Sequence, residues 1–360
     1  MNPRQLEQLR FDESGQNLIV GKEDNCPIPP VQLSELTADS PFVLETFSNG
    51  LTAEVFHLRI EGKEYTLKKR RAVAKVNNLD GRFSFLNEVQ RRYDLQKLKD
   101  SPDTSESFEN IVTTNYADYR LGIILSPWLE GNLLNKVDIS IVSQLFSTLL
   151  SCEQSGLFEW DLCAGNIIVD EKQHLWLFDF GYMYRFNPLV EFNSNGTSDP
   201  LFNFCERFET RYLSGWLLSN AMDYSEQIQI YRMVKQEALN TLVRKKAWLL
   251  SQEASDLVIR QTVSLIEEYQ LVLSSAEELE TRFVVEMFRS HVLDIEDDLD
   301  GKSCTPVTKQ RVKEVIKLLD KRYDLLNESG ALFYGNSGKK RSELIRKYME
   351  IEQLVIEYQV

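Results

Sequence analysis

The segment that most constrains the fold of this chain is the stretch 160–181, which reads WDLCAGNIIVDEKQHLWLFDFG. Two short apolar runs, 167–169 and 175–178, flank the polar residues 170–174, and this pattern predicts two strands joined by a turn. A hairpin brings the residue before its first strand and the residue after its second strand to the same end. Polar residues stand at both places, so the stretch predicts a polar site at one end of a hairpin.

Three polar side chains of this stretch have the character of a reactive site. Asn166 directly precedes the first predicted strand, and Asp179 directly follows the second. Their amide and carboxylate oxygens are the kind of ligand that Mg²⁺, a hard cation, prefers. Asp161, five residues before Asn166, is then available to accept a proton from an attacking hydroxyl.

Composition restricts the partners of such a site. Of the 360 residues, 42% are hydrophobic and 27% are charged, which is ordinary for a soluble globular protein large enough for two lobes. The net charge of −14 argues against binding to nucleic acid or to an anionic membrane, since both depend on a basic surface. The five cysteines include no CxxC pair, and no run of 18 apolar residues occurs, so we expect a cytoplasmic protein that does not span a membrane.

The first part of the chain has the pattern of a small sheet with one main helix. Residues 1–43 are mixed and are interpreted as an N-terminal extension to which we assign no chemistry. A hairpin or meander is predicted over 44–67, and two further strands are predicted over 111–117 and 121–125. The segment 84–99 has apolar residues at helical spacing. These apolar residues are expected near one face of the helix: Phe85, Val89, Tyr93 and Leu95.

The second part of the chain has a helical pattern. A helix is predicted over 139–154, and the segment 201–300 has no proline and a single glycine while it keeps helical periodicity. A break over 301–306 separates it from two more predicted helices, 309–326 and 342–358. The acidic run 294–300 has a faint similarity to a calcium loop but lacks the final glutamate ligand, so a solvated loop between helices is the preferred interpretation.

The order of these parts resembles the protein kinase-like superfamily, which includes protein kinases and aminoglycoside phosphotransferases. The resemblance rests on DxxxxN and DFG motifs that follow a strand-rich lobe, and it covers about 44–181. It implies an α+β fold with two lobes: a small antiparallel-sheet N-lobe with one main helix, and a large, mainly helical C-lobe. The implied parts are an N-terminal extension (1–43), an N-lobe with its hinge (44–129) and a C-lobe (130–360). The C-lobe contains a catalytic loop (159–169) and a DFG motif (179–181).

The resemblance implies an ATP site in the N-lobe. The family's glycine-rich loop is matched by SNGLTAEV, in which small residues let the backbone approach phosphates. The matching positions of this loop are Ser48, Gly50, Ala53 and Val55. Lys68, in the run YTLK, matches the lysine that holds the nucleotide phosphates, and Glu88 matches its partner on the helix. Lys69 is the alternative lysine, although strand alternation directs it to the other face.

The resemblance also assigns a hinge and the reactive groups. The segment 126–129 looks like the hinge that contacts adenine, with Pro127 offering its carbonyl and Leu129 both its N–H and its carbonyl. Asp161 matches the catalytic-loop aspartate, which orients the acceptor hydroxyl. Asn166 and Asp179 match the two metal-binding positions.

Several residues depart from the protein kinase pattern. Glu159 and Trp160 stand where protein kinases have His-Arg, so control through a phosphorylated activation loop is not expected. Cys163 replaces a lysine that neutralises the γ-phosphate, and Arg185 or a residue from elsewhere must then supply the cation. Cys163 itself is interpreted as a buried inert thiol in preference to a redox switch. The AGN ending is closer to that of small-molecule kinases, and no APE motif follows Gly181.

The sequence therefore predicts a phosphotransferase that uses ATP and Mg²⁺. Its acceptor is a hydroxyl of a protein or of a small molecule, and the acidic composition also suits a cationic one. Two alternatives stay open. One is a pseudokinase-like module that binds nucleotide and serves as a scaffold, and the other is nucleotidyl transfer on the same fold.

Overall fold

The computed structural model describes residues 1–47, 50–76 and 78–359. These residues form two compact units, Met1–Leu134 with Gly165–Tyr184 and Asn135–Ala164 with Arg185–Val360. The strands in chain order are β1 (Ile19–Gly21), β2 (Val43–Phe47), β3 (Ala53–Ile60), β4 (Lys63–Arg70), β5 (Tyr116–Asp118), β6 (Ile123–Pro127), β7 (Asn132–Leu133), β8 (Leu157–Glu159), β9 (Ile167–Val169), β10 (Leu175–Leu177) and β11 (Met183–Arg185). The helices are α1 (Pro3–Glu13), α2 (Pro30–Glu35), α3 (Leu79–Asp100), α4 (Ile139–Gln154), α5 (Phe204–Phe208), α6 (Ser214–Ser219), α7 (Tyr224–Ser251), α8 (Asp256–Ser274), α9 (Ala276–Gly301), α10 (Pro306–Glu328) and α11 (Arg341–Glu357).

The first unit is built on an antiparallel sheet in the order β1-β5-β6-β4-β3-β2. One face of the sheet buries Leu67 and Leu125 against Leu33 of α2, and the other face packs on α3 through Phe85 and Val89. Burial on both faces explains why β6 begins with three consecutive apolar residues, 123–125. A second sheet, β10-β9-β7, contains the hairpin predicted from the stretch 160–181.

The N-terminal 43 residues are more than an extension of this unit. The strand β1 pairs with β5 and forms one edge of the sheet, and α2 covers the face opposite α3. Gly21 has φ +79°, and a Cβ there would lie 2.2 Å from the Asn115 carbonyl oxygen, so glycine is required for this close approach. A three-residue strand is too short to give a clear alternation, which is why the sequence did not predict it.

Several predicted boundaries differ from the structure. The strands predicted over 111–117 and 121–125 lie at Tyr116–Asp118 and Ile123–Pro127. The segment before Tyr116 leaves the sheet, and the Thr114 N–H donates to the Gln96 side chain. Tyr93, which was predicted near one face of the helix with Phe85, Val89 and Leu95, is 37% exposed, whereas the other three residues are buried.

The second unit is mainly helical, from α4 to α11, in agreement with the predicted class of α+β fold. One of its cores packs α9, α10 and α11 around Phe288, Val315 and Tyr348. The prediction of a solvated loop over 294–300 is wrong, since these residues belong to α9 and the carboxylate of Asp294 pairs with two arginines. Among the described residues, no helix combines the length and the apolar character needed to cross a membrane.

Candidate nucleotide and phosphotransfer site

Lys68 is the centre of a buried ion cluster in the first unit. Strand pairing places it between Val55 of β3 and Ile124 of β6, on the face of the sheet that packs against α3. Its Nζ lies 2.6 Å from Glu88 Oε2 and 2.6 Å from Asp179 Oδ2. The structure thus brings together three of the residues selected from the sequence, which come from a strand, a helix and the end of a hairpin.

Lys69 has a different environment. It follows Lys68 on β4, so its side chain points to the opposite face, where the ammonium donates to the Leu36 carbonyl and lies 5.6 Å from the centre of the Phe56 ring. Of these two lysines, Lys68 is the one that contacts Glu88 and Asp179.

Glu88 is buried on α3, with 2% of its side chain exposed, and is shared between two cations. Its Oε1 accepts a hydrogen bond from Arg92 Nη2 at 3.1 Å, and Arg92 also donates to Ser126 Oγ at 3.0 Å and to the Phe178 carbonyl. Arg92 was not among the residues selected from the sequence. Its position four residues after Glu88 on a predicted helix was the available signal.

The cluster shifts the pKa values of its members. Burial lowers the pKa of Lys68, but the Asp179 and Glu88 carboxylates outweigh burial, so the net shift is upward. Burial raises the pKa of Asp179, yet the Lys68 ammonium and the Gly181 N–H outweigh it and hold that pKa below its usual value. Burial together with the Asp179 charge raises the pKa of Glu88 despite its two cations. The ordinary protonation states of Lys68 and Asp179 are therefore reinforced by their pairing.

The backbone after Asp179 is held by one buried side chain. Asn87 Nδ2 donates to the carbonyls of Phe180, Gly181 and Met183 at 3.3, 3.0 and 2.7 Å. Asp179 Oδ1 in turn accepts from the Gly181 N–H at 3.2 Å. Nothing in the sequence identified Asn87, because its partners lie more than 90 residues away.

Asn166 lies at the same end of the β9–β10 hairpin as Asp179. Leu177 is in register with Ile167, and the Phe178 N–H donates to the Asn166 carbonyl at 3.3 Å. The side chains at this end offer an amide oxygen and a carboxylate, which is a donor set that fits a hard divalent cation. Within the described ranges, no group of three or more His, Cys, Asp or Glu side chains is arranged to hold a metal ion.

The predicted glycine-rich loop is described in part. Ser48 lies outside the described residues. At Gly50 a Cβ would lie 2.3 Å from the Ala53 carbonyl oxygen, so a side chain there would displace the loop. Ala53 is buried at the start of β3, and Val55 is directly opposite Lys68.

The predicted hinge begins where β6 ends. Pro127 is the last residue of β6 and pairs with Tyr65, while Leu129 follows two residues later and is half-buried. Between them, the Trp128 ring stacks on the His57 ring with ring centres 3.6 Å apart, and the backbone N–H of Trp128 donates to the Glu64 carbonyl at 3.1 Å. The chain leaving the sheet is thus fixed by an aromatic contact.

Asp161 belongs to the second unit. Its Oδ1 lies 2.9 Å from Arg211 Nε, and its N–H donates to Glu159 Oε1 at 2.8 Å. Cys163 Sγ lies 3.7 Å from Asp161 Oδ2. Cys163 is half-buried, so the prediction of a buried thiol is wrong. Arg211, which lies 50 residues further along the chain, was not among the residues selected from the sequence.

No family model matches the chain, and no curated protein matches it either. Among solved structures, the chain is similar to WbdD in a co-crystal structure with the kinase inhibitor LY294002, at 15% identity and a TM-score of 0.35, over 66% of this chain and 47% of that one. A crystal structure of WbdD matches at 15% identity and a TM-score of 0.31, over 54% of this chain and 46% of that one.

The chain spans less than half the length of the WbdD chains that it matches. Similarity at these values carries no conclusion about activity.

Proposed function

We propose that this protein is a kinase-like phosphotransferase that binds ATP with Mg²⁺ and moves the γ-phosphate to a hydroxyl group. The observation that carries the proposal is the position of Lys68 Nζ, 2.6 Å from both Glu88 Oε2 and Asp179 Oδ2. A lysine held by a helix glutamate, next to the aspartate of a DFG motif, is the arrangement that binds nucleotide phosphates beside a metal ion in this class of enzyme.

In this proposal the first unit holds the nucleotide. Lys68 binds the α- and β-phosphates, and Glu88 fixes the position of its ammonium. The loop residues Gly50, Ala53 and Val55, with Ser48, cover the phosphates, while the carbonyl of Pro127 and the backbone of Leu129 contact adenine. A boundary between the two lobes at residues 129/130 and a cytoplasmic location are further parts of this proposal.

Asn166 and Asp179 would hold Mg²⁺ through their side-chain oxygens. The ion, when bound, neutralises charge on the phosphates. Asp161 accepts the proton of the acceptor hydroxyl, and the five-residue spacing from Asp161 to Asn166 supports this role. Most of the catalysis then comes from positioning and from charge neutralisation.

The acceptor is proposed only as a class. The net charge of −14 and the absence of an APE motif after Gly181 favour a small or cationic acceptor over a standard protein substrate. A protein hydroxyl is kept as the other member of the class, because the helical unit is large enough to bind a protein surface.

One observation favours a second candidate, a nucleotide-binding module without catalysis. Asp179 is paired with Lys68 and Asp161 with Arg211, so each acidic group of the proposed reaction already has a cationic partner within its own unit. Nucleotidyl transfer is a third candidate that the same residues would serve.

Incubation of the protein with ATP labelled in the α- or the γ-phosphate separates these candidates. Phosphotransfer places the γ label on an acceptor, and nucleotidyl transfer places the α label there. Asp161→Ala should abolish labelling, whereas Asp320→Ala, which removes an exposed carboxylate from the second unit, should leave it unchanged. Transfer of neither label, over a panel of protein and small hydroxyl acceptors, would favour the nucleotide-binding module.

A further inference from the structure

Arg211 lies in a turn of unusual geometry. The segment Glu209–Leu213, between α5 and α6, is a π-helix, in which each turn contains an extra residue. Such turns are rare and occur frequently at functional sites. The side chain of Arg211 is presented by this turn.

Arg211 connects Asp161 to a buried array of charges. Its Nε lies 2.9 Å from Asp161 Oδ1, and its Nη1 pairs with Asp294 Oδ1. The other oxygen of Asp294 lies 2.8 Å from Arg311 Nε, and Arg311 is almost fully buried. Arg311 also donates to Ser214 Oγ at 2.6 Å. Arg211 is therefore fixed on the side away from Asp161, which restricts the orientation of the Asp161 carboxylate.

Arg211 is the cation beside Asp161. Cys163, two residues after Asp161, stands where the resemblance places a lysine that neutralises the γ-phosphate, and its thiol lies 3.7 Å from Asp161 Oδ2. A thiol supplies no positive charge. An arginine keeps its charge at any physiological pH and offers several donors in fixed geometry, so it both neutralises and orients a carboxylate.

We propose that Arg211, which the π-helical turn presents and Asp294 holds in place, is the positioning residue of Asp161. This inference rests on the proposed phosphotransferase function. Because one oxygen of the Asp161 carboxylate is paired with a fixed guanidinium, the carboxylate keeps one orientation toward the acceptor hydroxyl. Loss of Arg211 therefore slows proton acceptance without weakening nucleotide binding, because the nucleotide residues lie in the other unit.

Chemical rescue provides the sharpest test. The Arg211 side chain is 20% exposed, so a small guanidinium ion can replace it in an alanine variant. In Arg211→Ala, kcat should fall about 10²-fold, as for other small misplacements of a reactive group, with an unchanged KM for MgATP. Ethylguanidinium should restore at least a tenth of the lost rate. The matched control is Arg282→Ala, which removes a similarly exposed arginine paired with Glu268 at 2.9 Å in the same unit.

The outcomes distinguish this inference from the proposed function. Active wild type with inactive Asp161→Ala, but normal kcat in Arg211→Ala, overturns the role of Arg211 alone. A loss of rate that ethylguanidinium does not restore also overturns it. Wild type without activity contradicts the proposed function and this inference together. If Arg211→Ala does not fold, Arg211→Lys retains charge without the fork of donors, and its kcat should fall while KM stays constant; an unchanged kcat there overturns the inference.

Discussion

Glu88 and Arg92 lie one helical turn apart on α3, and Glu88 Oε1 accepts a hydrogen bond from Arg92 Nη2 at 3.1 Å while Glu88 Oε2 lies 2.6 Å from Lys68 Nζ. The carboxylate is thus held from both sides by cations in a buried environment. Since Arg92 also contacts the Phe178 carbonyl, one arginine links the helix to the residue before Asp179. The proposed phosphate site is therefore supported by a residue outside the motifs.

Removal of Arg92 should destabilise the protein strongly. Arg92→Met leaves Glu88 with one cation and leaves Ser126 without its donor in a buried place. Loss of one partner of a buried ion pair costs about 3 kcal/mol or more of the free energy of unfolding, which urea titration measures. The exposed pair between Arg341 and Asp320 provides the control, since Arg341→Met should cost less than about 1 kcal/mol. Equal costs would contradict the account of Arg92.

Replacement of Lys68 should affect activity, and replacement of Lys69 should not. In Lys68→Met the phosphates lose their proposed cation, and we expect kcat/KM for MgATP to fall by about 10²-fold or more, as for the loss of other preorganised electrostatic groups. Lys69→Met removes the neighbouring lysine, which contacts Leu36 on the other face. A similar loss in both variants would show that general disruption of β4, and not the position of Lys68, explains the effect.

Asn87 should limit the motion of the backbone after Asp179. Asn87→Leu removes a donor that three carbonyls share, so amide hydrogen exchange over residues 180–183 should accelerate. Leaving buried acceptors without a donor should also lower the free energy of unfolding by about 1–3 kcal/mol. The exposed Asn240 on α7 provides the control, since Asn240→Leu should leave exchange over 180–183 unchanged. No acceleration in Asn87→Leu would contradict the role of this side chain.

Much of the fold follows from local patterns, and most of the support of the site does not. The β9–β10 hairpin, α4 and the break before Pro306 follow from apolar runs, helical periodicity and a glycine-to-proline segment, all of which act over a few residues. Arg211 contacts Asp161 across 50 positions, and Asn87 contacts Phe180 across 93. Contacts of this kind depend on tertiary packing, which no local pattern specifies.

The acidic run of α9 shows the same limit in another form. The acidic side chains of this run predicted a loop exposed to solvent, yet Asp294 is paired with Arg211 and Arg311 inside the helical unit. A buried carboxylate is tolerated there because two guanidinium groups compensate it. The compensating residues lie 83 positions before and 17 positions after Asp294, so the sequence alone could not distinguish a paired helix from a loop.

Glu209 should make stability depend on pH. Burial, with the nearby Glu286 charge, raises the pKa of Glu209 to about 8 although Lys235 Nζ lies 2.8 Å from its Oε1. Between about pH 4.5 and pH 8 the folded state binds more protons than the unfolded state, so this contribution to stability is full below about 4.5 and is lost as pH rises through about 8. In urea titrations over this window, the free energy of unfolding of the wild type should fall as pH rises, and that of Glu209→Gln should fall less steeply. The two slopes should differ by at most about 1.4 kcal/mol per pH unit. An identical pH dependence in both proteins would contradict the assignment.

The most direct test of the central claim is the melting temperature of wild type and Asp179→Asn with ATP, in the presence and absence of Mg²⁺. Ligand at about 100 times its Kd stabilises the folded state by about 2.7 kcal/mol, which is a shift of a few degrees. We predict that Mg²⁺ increases the shift produced by ATP in wild type and has no such effect in Asp179→Asn. An ATP shift that is absent from wild type, independent of Mg²⁺, or equally dependent on Mg²⁺ in both proteins would contradict the proposed site.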